Sequence, residues 1–330
     1  MMDDNRETAT SLTKGYGIAL VGTIVWSTTA VFIRFLTVNY QMPALVLAFW
    51  REIGVALGLV IVIVLVKPRL LLVSRQLLPF FVLYGLILMI FNVTWTLSVA
   101  LNGAAVSTVL VYSSPAITAI AAWRLWRERL DARKIVAVVL SMAGCVLVSG
   151  AYDSQIWHIN PVGIVLGLVS GVLFAVYSIF GKEAARRDIN PWVSLTYTFA
   201  FAPFFLLVLL LAPFEEWLRL DLGQFADLMW LGRSWEGWGV LLLLALGPTI
   251  GGYGLYSVSM RSLPASVANL IASTEPVFTT ILAYLFLGER LLPVQILGSI
   301  LILAGVILLR LQNGTASRVG FIGKKNHPPG

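Results

Sequence analysis

The sequence predicts an all-α integral membrane protein whose ten transmembrane helices form two inverted five-helix repeats (5+5), with both termini cytoplasmic. Three observations carry that prediction. Apolar residues make up 58% of the 330-residue chain and charged residues only 12%, about half the charged share of a typical globular protein. Ten stretches are long and apolar enough to span a bilayer. The second half of the chain repeats the first, with an odd number of helices in each.

A hydrocarbon core of roughly 30 Å takes about 20 apolar residues as a helix. The qualifying stretches, numbered here as spans 1 to 10, are Tyr16–Leu36, Pro43–Val66, Pro79–Leu101, Ala104–Trp123, Ile135–Ala151, Val162–Gly181, Trp192–Ala212, Trp238–Val258, Ala265–Leu287 and Val294–Leu311. Pro, Gly or charge bounds nearly every one. Residues 1–15 are polar and read as a cytoplasmic tail; span 1 is too long for a signal-peptide core and is read as retained. Short links make neighbouring spans antiparallel. The first repeat occupies residues 16–151 and the second 162–311, with a long outer loop at 213–237. Trp217, Trp230 and Trp235 among Glu215, Glu216 and Asp227 suggest that this loop lies as a helix on the outer interface. Residues 312–330 are polar and basic and are expected to be a disordered cytoplasmic tail.

Lys and Arg set the orientation. With the N-terminus inside, eighteen of the 23 fall on inner segments and three (Arg219, Arg233 and Arg290) on outer ones. The net charge of +7 is therefore a positive-inside signal, not a nucleic-acid footprint. The plasma membrane is the expected location. A single cysteine, Cys145, excludes a disulfide framework, and two histidines, His158 and His327, exclude a His-built metal centre. No cofactor or metal is expected. The expected partners are the lipid bilayer and a small-molecule substrate, without nucleic acid or an ATPase subunit, and the protein is expected as a monomer or weak dimer.

Shifting the chain by 161 residues lays Leu101–Ser149 on Ser262–Arg310 with 14 of 49 positions identical, among them Pro115/Pro276, Glu128/Glu289, Arg129/Arg290 and Gly144/Gly305. Earlier in each half the shift is 148, pairing Arg34 with Lys182 and Pro43 with Pro191. Five helices per half turn the second copy upside down. Inverted repeats about an axis in the membrane plane are how many secondary transporters reach two alternately open states.

The run TEPVFTTILAYLFLGERLLPVQILGSILILAGVIL (Thr274 to Leu308) resembles the closing segment of the EamA domain of the ten-helix drug/metabolite transporter superfamily. SPAITAIAAWRLWRERLDARKIVAVVLSMAGCVL (Ser114 to Leu147) repeats it more loosely, and the resemblance covers residues 16 to 311 as two tandem copies. It implies export or exchange of small metabolites, amino acids among them. The first copy departs from the pattern at Arg127, where the second has Gly288, and at Ala137, where the second has Gly298.

Only two of the sixteen acids, Glu52 and Glu275, fall inside spans. Glu275 is near the middle of span 9, where a charge costs at least about 2.5–3.5 kcal/mol and must face a cavity or a partner. Pro276 removes the next backbone N–H, so a kink is expected beside it. A carboxylate so placed binds a substrate ammonium or takes a proton, which makes Glu275 and Glu52 the candidate coupling groups. A structural Glu bonded to a neighbouring helix is the plainer reading. Arg51 has three open readings: holding a substrate carboxylate, neutralising Glu52 or Glu275, or binding backbone carbonyls. Arg34 and Lys182 lie at span ends and are expected to snorkel to the interface.

Mid-span polar and aromatic residues complete a candidate substrate site. They are Trp26 and Thr29 in span 1, Asn92 and Trp95 in span 3, Tyr112 and Ser113 in span 4, Tyr177 in span 6, Tyr253 and Tyr256 in span 8, and Asn269 in span 9. Singly, each is more often a packing or helix–helix bonding residue. Pro115 and Pro276, with Gly251 and Gly252 in span 8, are the candidate hinges.

Other classes fit less well. An intramembrane protease needs a histidine at membrane depth, and a metal-dependent prenyltransferase needs clustered Asp; no span contains either residue. The reading is a secondary transporter, not an enzyme, that exports or exchanges a small amphipathic metabolite by alternating access, with or without proton coupling. The alternative is a membrane sensor, or an intramembrane enzyme, with a central ligand cavity. If the orientation is right, green fluorescent protein fused to either terminus fluoresces while alkaline phosphatase fused there is inactive. The opposite pattern would overturn it.

Overall fold

With no water in a bilayer core, each apolar stretch must close its backbone hydrogen bonds on itself. The structure is a computed structural model that describes residues 2–128, 130–154, 160–211, 223–287 and 292–323, leaving outside the description the side chains of 2–10, 30, 34, 100, 103–105, 283, 286, 287 and 311–323. Among the described residues there are helices and no strands. We number the α-helices α1 (Met2–Ser27), α2 (Thr29–Asn39), α3 (Ala44–Val66), α4 (Leu78–Val111), α5 (Ser114–Trp126), α6 (Ala132–Ser149), α7 (Pro161–Arg186), α8 (Pro191–Leu210), α9 (Trp235–Leu244), α10 (Ile250–Ser259), α11 (Ala265–Ala272), α12 (Glu275–Leu287) and α13 (Pro293–Gly323). Nine helical stretches among the described residues are long and apolar enough to cross a membrane. The tenth expected span, Ala265–Leu287, is not among the nine; it consists of α11 and α12, divided at Ser273 and Thr274.

Helix starts follow local chemistry. Asn160 and Asn190 accept the first free N–H groups of α7 and α8, each just ahead of a proline at the first helical position. Asp131 does the same for α6 through the Lys134 N–H. Helical bonding also runs through residues 2–15 and 312–323 of the two expected tails, neither of which carries a proline. The expected interfacial helix falls partly on residues 212–222, outside the described residues. Within the described part of the loop the chain forms a short 3-10 turn, Phe225–Met229, held over α3 by the Trp50 indole donating to the Leu228 carbonyl at 2.7 Å.

Spans 3 and 4 join in an unexpected way. Helical turns follow one another through α4 with no loop between them, and its 34 residues would reach about 51 Å if straight. Yet the hydroxyls of Ser98 and Ser107 meet at 2.8 Å. The chain therefore reverses between them, and Asn102 pins the turn by bonding both polar groups of the Asn160 backbone, at 3.1 and 3.2 Å. Both arms of α4 pack on the glycine stripe of α7: Gly163 lies against Leu101 and Asn102, Gly167 against Ser98 and Leu110, and Gly171 against Ser113.

The repeat shifts reappear as exchanged contacts. A Cβ on Gly144 of α6 would lie 2.5 Å from the Gly298 carbonyl oxygen, and one on Gly298 of α13 would lie 2.7 Å from the Gly144 oxygen. The shifted partners, 305 and 137, also meet: a Cβ on Gly305 would lie 2.6 Å from the Ala137 oxygen. Gly15 packs on Ser262 and Leu263, and Gly163 packs on Leu101 and Asn102, the matching positions in the other half. Outside these seams the surface is apolar, as a lipid-facing one should be; Leu65 and Val66 are 79% and 78% exposed.

Gly298→Val forces new atoms into the Gly144 backbone and is expected to cost about 1–3 kcal/mol. Gly17→Ala, with nothing within 4 Å of the added carbon, should be neutral or slightly stabilising. Thermal unfolding of the two variants in detergent checks the contrast.

Candidate functional site

Four spans lose regular helix near their middles. Span 1 breaks at Thr28, span 4 at Tyr112–Ser113 and span 9 at Ser273–Thr274, while span 8 carries a π-helical turn, Ala245–Thr249, around Pro248. The breaks in spans 4 and 9 occupy matching repeat positions just ahead of Pro115 and Pro276. Discontinuous membrane helices are where transporters build ion and substrate sites.

Hydroxyls beside the breaks fold back onto carbonyls of the preceding turn, and some of those carbonyls also accept a backbone N–H. Ser27 and Thr28 donate to the Ile24 and Val25 oxygens, both at 2.7 Å. Ser113 donates to Leu110 at 2.7 Å, and Ser273 and Thr274 donate to Leu270 and Ile271 at 2.6 and 2.7 Å. Thr249 reaches the Leu244 oxygen across the π turn at 2.8 Å. Gly251 and Gly252 lie just beyond, in regular α10, where a Cβ on either would come within 2.8 Å of Val25 or Trp26. Their small size lets α10 pack closely on α1.

Glu275 opens α12, and its Oε2 accepts a hydrogen bond from the Tyr112 hydroxyl at 2.6 Å. The break in one half is thereby tied to the break in the other. Beside it runs a buried chain. Ser114 donates to Asn269 Oδ1 at 3.0 Å, the Asn269 amide donates to Ser178 at 2.8 Å, and Ser178 meets the Tyr256 hydroxyl at 2.7 Å. Asn92 donates to Glu52 Oε1 at 2.6 Å. Aromatic rings fill the space between, with Trp26 centred 4.4 Å from Tyr253 and Tyr177 centred 5.7 Å from Tyr253.

Most of the expected residues therefore converge. Tyr112 joins Glu275; Asn269 reaches Tyr256 through Ser178; the rings of Trp26 and Tyr177 pack tilted and edge-on against Tyr253; Asn92 joins Glu52. Trp95 packs against the core and makes no hydrogen bond among the described residues, and Ser113 is occupied with its own backbone. The Thr29 hydroxyl and Arg51 Nε are buried without partners. Ser178, which links spans 6, 8 and 9, was not expected; a lone Ser in a Gly- and Ser-rich helix carries no distinguishing signal. Phe174 was also missed. It stacks with Phe91, centroids 5.3 Å apart, and lies edge-on to Trp26 at 6.0 Å.

Lys182 departs from the expected snorkelling. Its ammonium turns inward and donates to the Met260 and Leu263 carbonyls at 2.8 and 2.7 Å, satisfying oxygens freed where α10 ends. Arg34, its repeat partner, has a side chain outside the description. At the same end, Glu128 accepts from Ser266 at 2.6 Å and pairs with Lys134 at 3.2 Å. A cavity of about 330 Å³ lies there, lined by Leu12, Trp126, Glu128, Lys182, Arg186 and Leu263 among others; none of the central residues lines it. Arg129, Glu289 and Arg290 lie outside the described residues. Among the described residues no cluster of three or more His, Cys, Asp or Glu is placed to hold a metal ion.

Comparison with known proteins adds an independent line. The family model described as the EamA-like transporter family matches residues 13–150 and again 161–311. The threonine/homoserine exporter RhtA of Escherichia coli K12 is 26% identical over 243 residues, covering 73% of this chain and 74% of that protein. The uncharacterized transporter YwfM of Bacillus subtilis 168 is 28% identical over 209 residues, covering 63% of this chain and 65% of its own length. The match thus spans slightly under two thirds of that relative. One solved crystal structure superimposes with a TM-score of 0.72 at 15% identity, over 91% of this chain and 97% of its own, which speaks to the fold alone.

Asn269→Ala strips the Ser114 and Ser178 hydroxyls of a partner inside the core. The expected cost is about 1–3 kcal/mol, read as a lowered unfolding temperature in detergent. An unchanged unfolding temperature would mean that the chain contributes nothing to stability.

Proposed function

Since this chain belongs to the EamA-like transporter family, a group of multi-pass membrane transporters within the drug/metabolite transporter superfamily, we propose that it is a secondary carrier exporting or exchanging a small metabolite across the plasma membrane. The observation that carries this reading is the Tyr112–Glu275 bond, which joins two broken spans at matching positions of the two halves. A carrier needs its binding group where both halves can reach it, and a lone membrane carboxylate at such a junction fits that need.

The ten spans are read as two inverted sets of five with cytoplasmic termini. The exchanged contacts at Gly144 and Gly298 and at Gly15 and Gly163 support the repeat, and the Lys and Arg distribution supports the orientation. Substrate binds near the midplane among Glu275, Tyr112, Asn269, Tyr256, Tyr253 and Trp26. Spans 4 and 9 flex at Pro115 and Pro276 as the site turns from one side to the other. RhtA is by name a threonine/homoserine exporter, which favours an amino acid or a related amphipathic compound as the substrate. Glu275 is the coupling candidate, binding a proton when substrate is absent. Family membership weighs against the intramembrane-enzyme alternative.

Proteoliposomes loaded with pooled amino acids, amines and other metabolites should release a few related compounds, identified by mass spectrometry against empty liposomes. Glu275→Gln should lower that release by about ten-fold or more, the scale of one lost charged contact. A Glu275→Gln protein that transports at the wild-type rate with an unchanged pH response would remove Glu275 from the mechanism.

A further inference from the structure

Arg51 is the group that the buried network leaves over. It is only 9% exposed in α3, yet its guanidinium makes no ion pair and no hydrogen bond among the described residues, and its Nε is sealed off without a partner. Glu52 beside it is fully buried, with Oε1 held by Asn92 and Oε2 unpartnered. The Tyr253 hydroxyl feels the charges of Arg51, Glu52 and Glu275 and makes no hydrogen bond of its own among the described residues. An unsatisfied guanidinium in a core is a strong liability unless a ligand completes it.

Neither acid within the spans completes it. Adjacent residues on a helix point about 100° apart, and Glu52 is turned toward Asn92. Glu275 is engaged with Tyr112 from the other half. A guanidinium fork matches a carboxylate bidentately, so the missing partner has that shape and charge. A simple anion entering here would meet two acids. A simple amine would leave Arg51 unpaired. A molecule carrying both charges satisfies both poles at once.

We propose that Arg51 anchors the carboxylate of the transported molecule while Glu275 and Tyr112 anchor its ammonium, so that the carrier selects zwitterions over amines. The assignment rests on the carrier reading above and names the chemistry of the same site. It also gives the substrate a fixed polarity, with the carboxylate toward the first half and the ammonium toward the second.

The test is counterflow by the full chain in proteoliposomes, using twenty amino acids and their decarboxylated amines, threonine paired with 1-amino-2-propanol among them. Wild type should favour at least one zwitterion over its amine by about ten-fold or more, as a site built around a buried polar group does. Arg51→Gln should abolish that preference by slowing the zwitterion while leaving amine flux within about two-fold, and the amine flux reports that the variant is folded. Arg51→Lys, a charge without the fork, should keep an intermediate preference. If Arg51→Gln moves neither compound, the Arg51→Lys ratio decides: an unchanged preference overturns the assignment. Wild-type protein that moves amines as readily as amino acids, or an Arg51→Gln protein that slows both in parallel, also overturns it while the carrier reading stands. Wild-type protein that moves neither class overturns both.

Discussion

The constraint on which the rest of this structure depends is that no backbone polar group can be left bare in hydrocarbon, where each would cost several kcal/mol. It makes every span a helix. It also sets the terms on which a helix can stop. Beside the interruptions in spans 1, 4 and 9, Ser27, Thr28, Ser113, Ser273 and Thr274 fold back onto carbonyls of the preceding turn. Where α10 ends, Lys182 reaches carbonyls from another helix.

Those interruptions in turn free the side chains beside them for other work. Tyr112 and Glu275 sit at helix ends, so they can lean across the interface rather than pack along a regular face. Asn269, one turn before a break, reaches both Ser114 and Ser178. The aromatic rings of Trp26, Phe174, Tyr177, Tyr253 and Tyr256 close around this polar thread and keep its bonds in a low dielectric, where they are strong when satisfied and costly when not. Among the unsatisfied groups, Arg51 and one oxygen of Glu52 stand out because they belong to ionisable side chains.

Features that depend on a residue's own cost could be read directly from the sequence. An acid inside a 23-residue apolar span, followed by proline, is expensive whatever surrounds it, so Glu275 and Pro276 announced themselves. The membrane class, nine of the spans and the repeat were legible because they rest on sums over many residues. What escaped depends on distant partners. Ser113 looked like a pocket group, but its hydroxyl is consumed three residues back. Lys182 looked like a snorkelling end, because nothing near it in sequence reveals that Met260 and Leu263 bring bare carbonyls within reach. Ser178 is chemically ordinary until Asn269 and Tyr256 arrive on either side.

The seam between α6 and α13 carries a consequence for motion. It is held backbone to backbone at two places, Gly144 against Gly298 and Ala137 against Gly305, and the repeat relation carries each place onto the other. If the two halves trade shapes during a transport cycle, a seam whose contacts map onto each other in this way keeps the same pairing in both shapes, so it would serve as an axle. The axle is not perfectly even. Ala137 brings a methyl where its counterpart Gly298 brings a hydrogen. In a carrier that turned on this axle, that methyl would be one of the many differences between the halves that set its two orientations apart in energy.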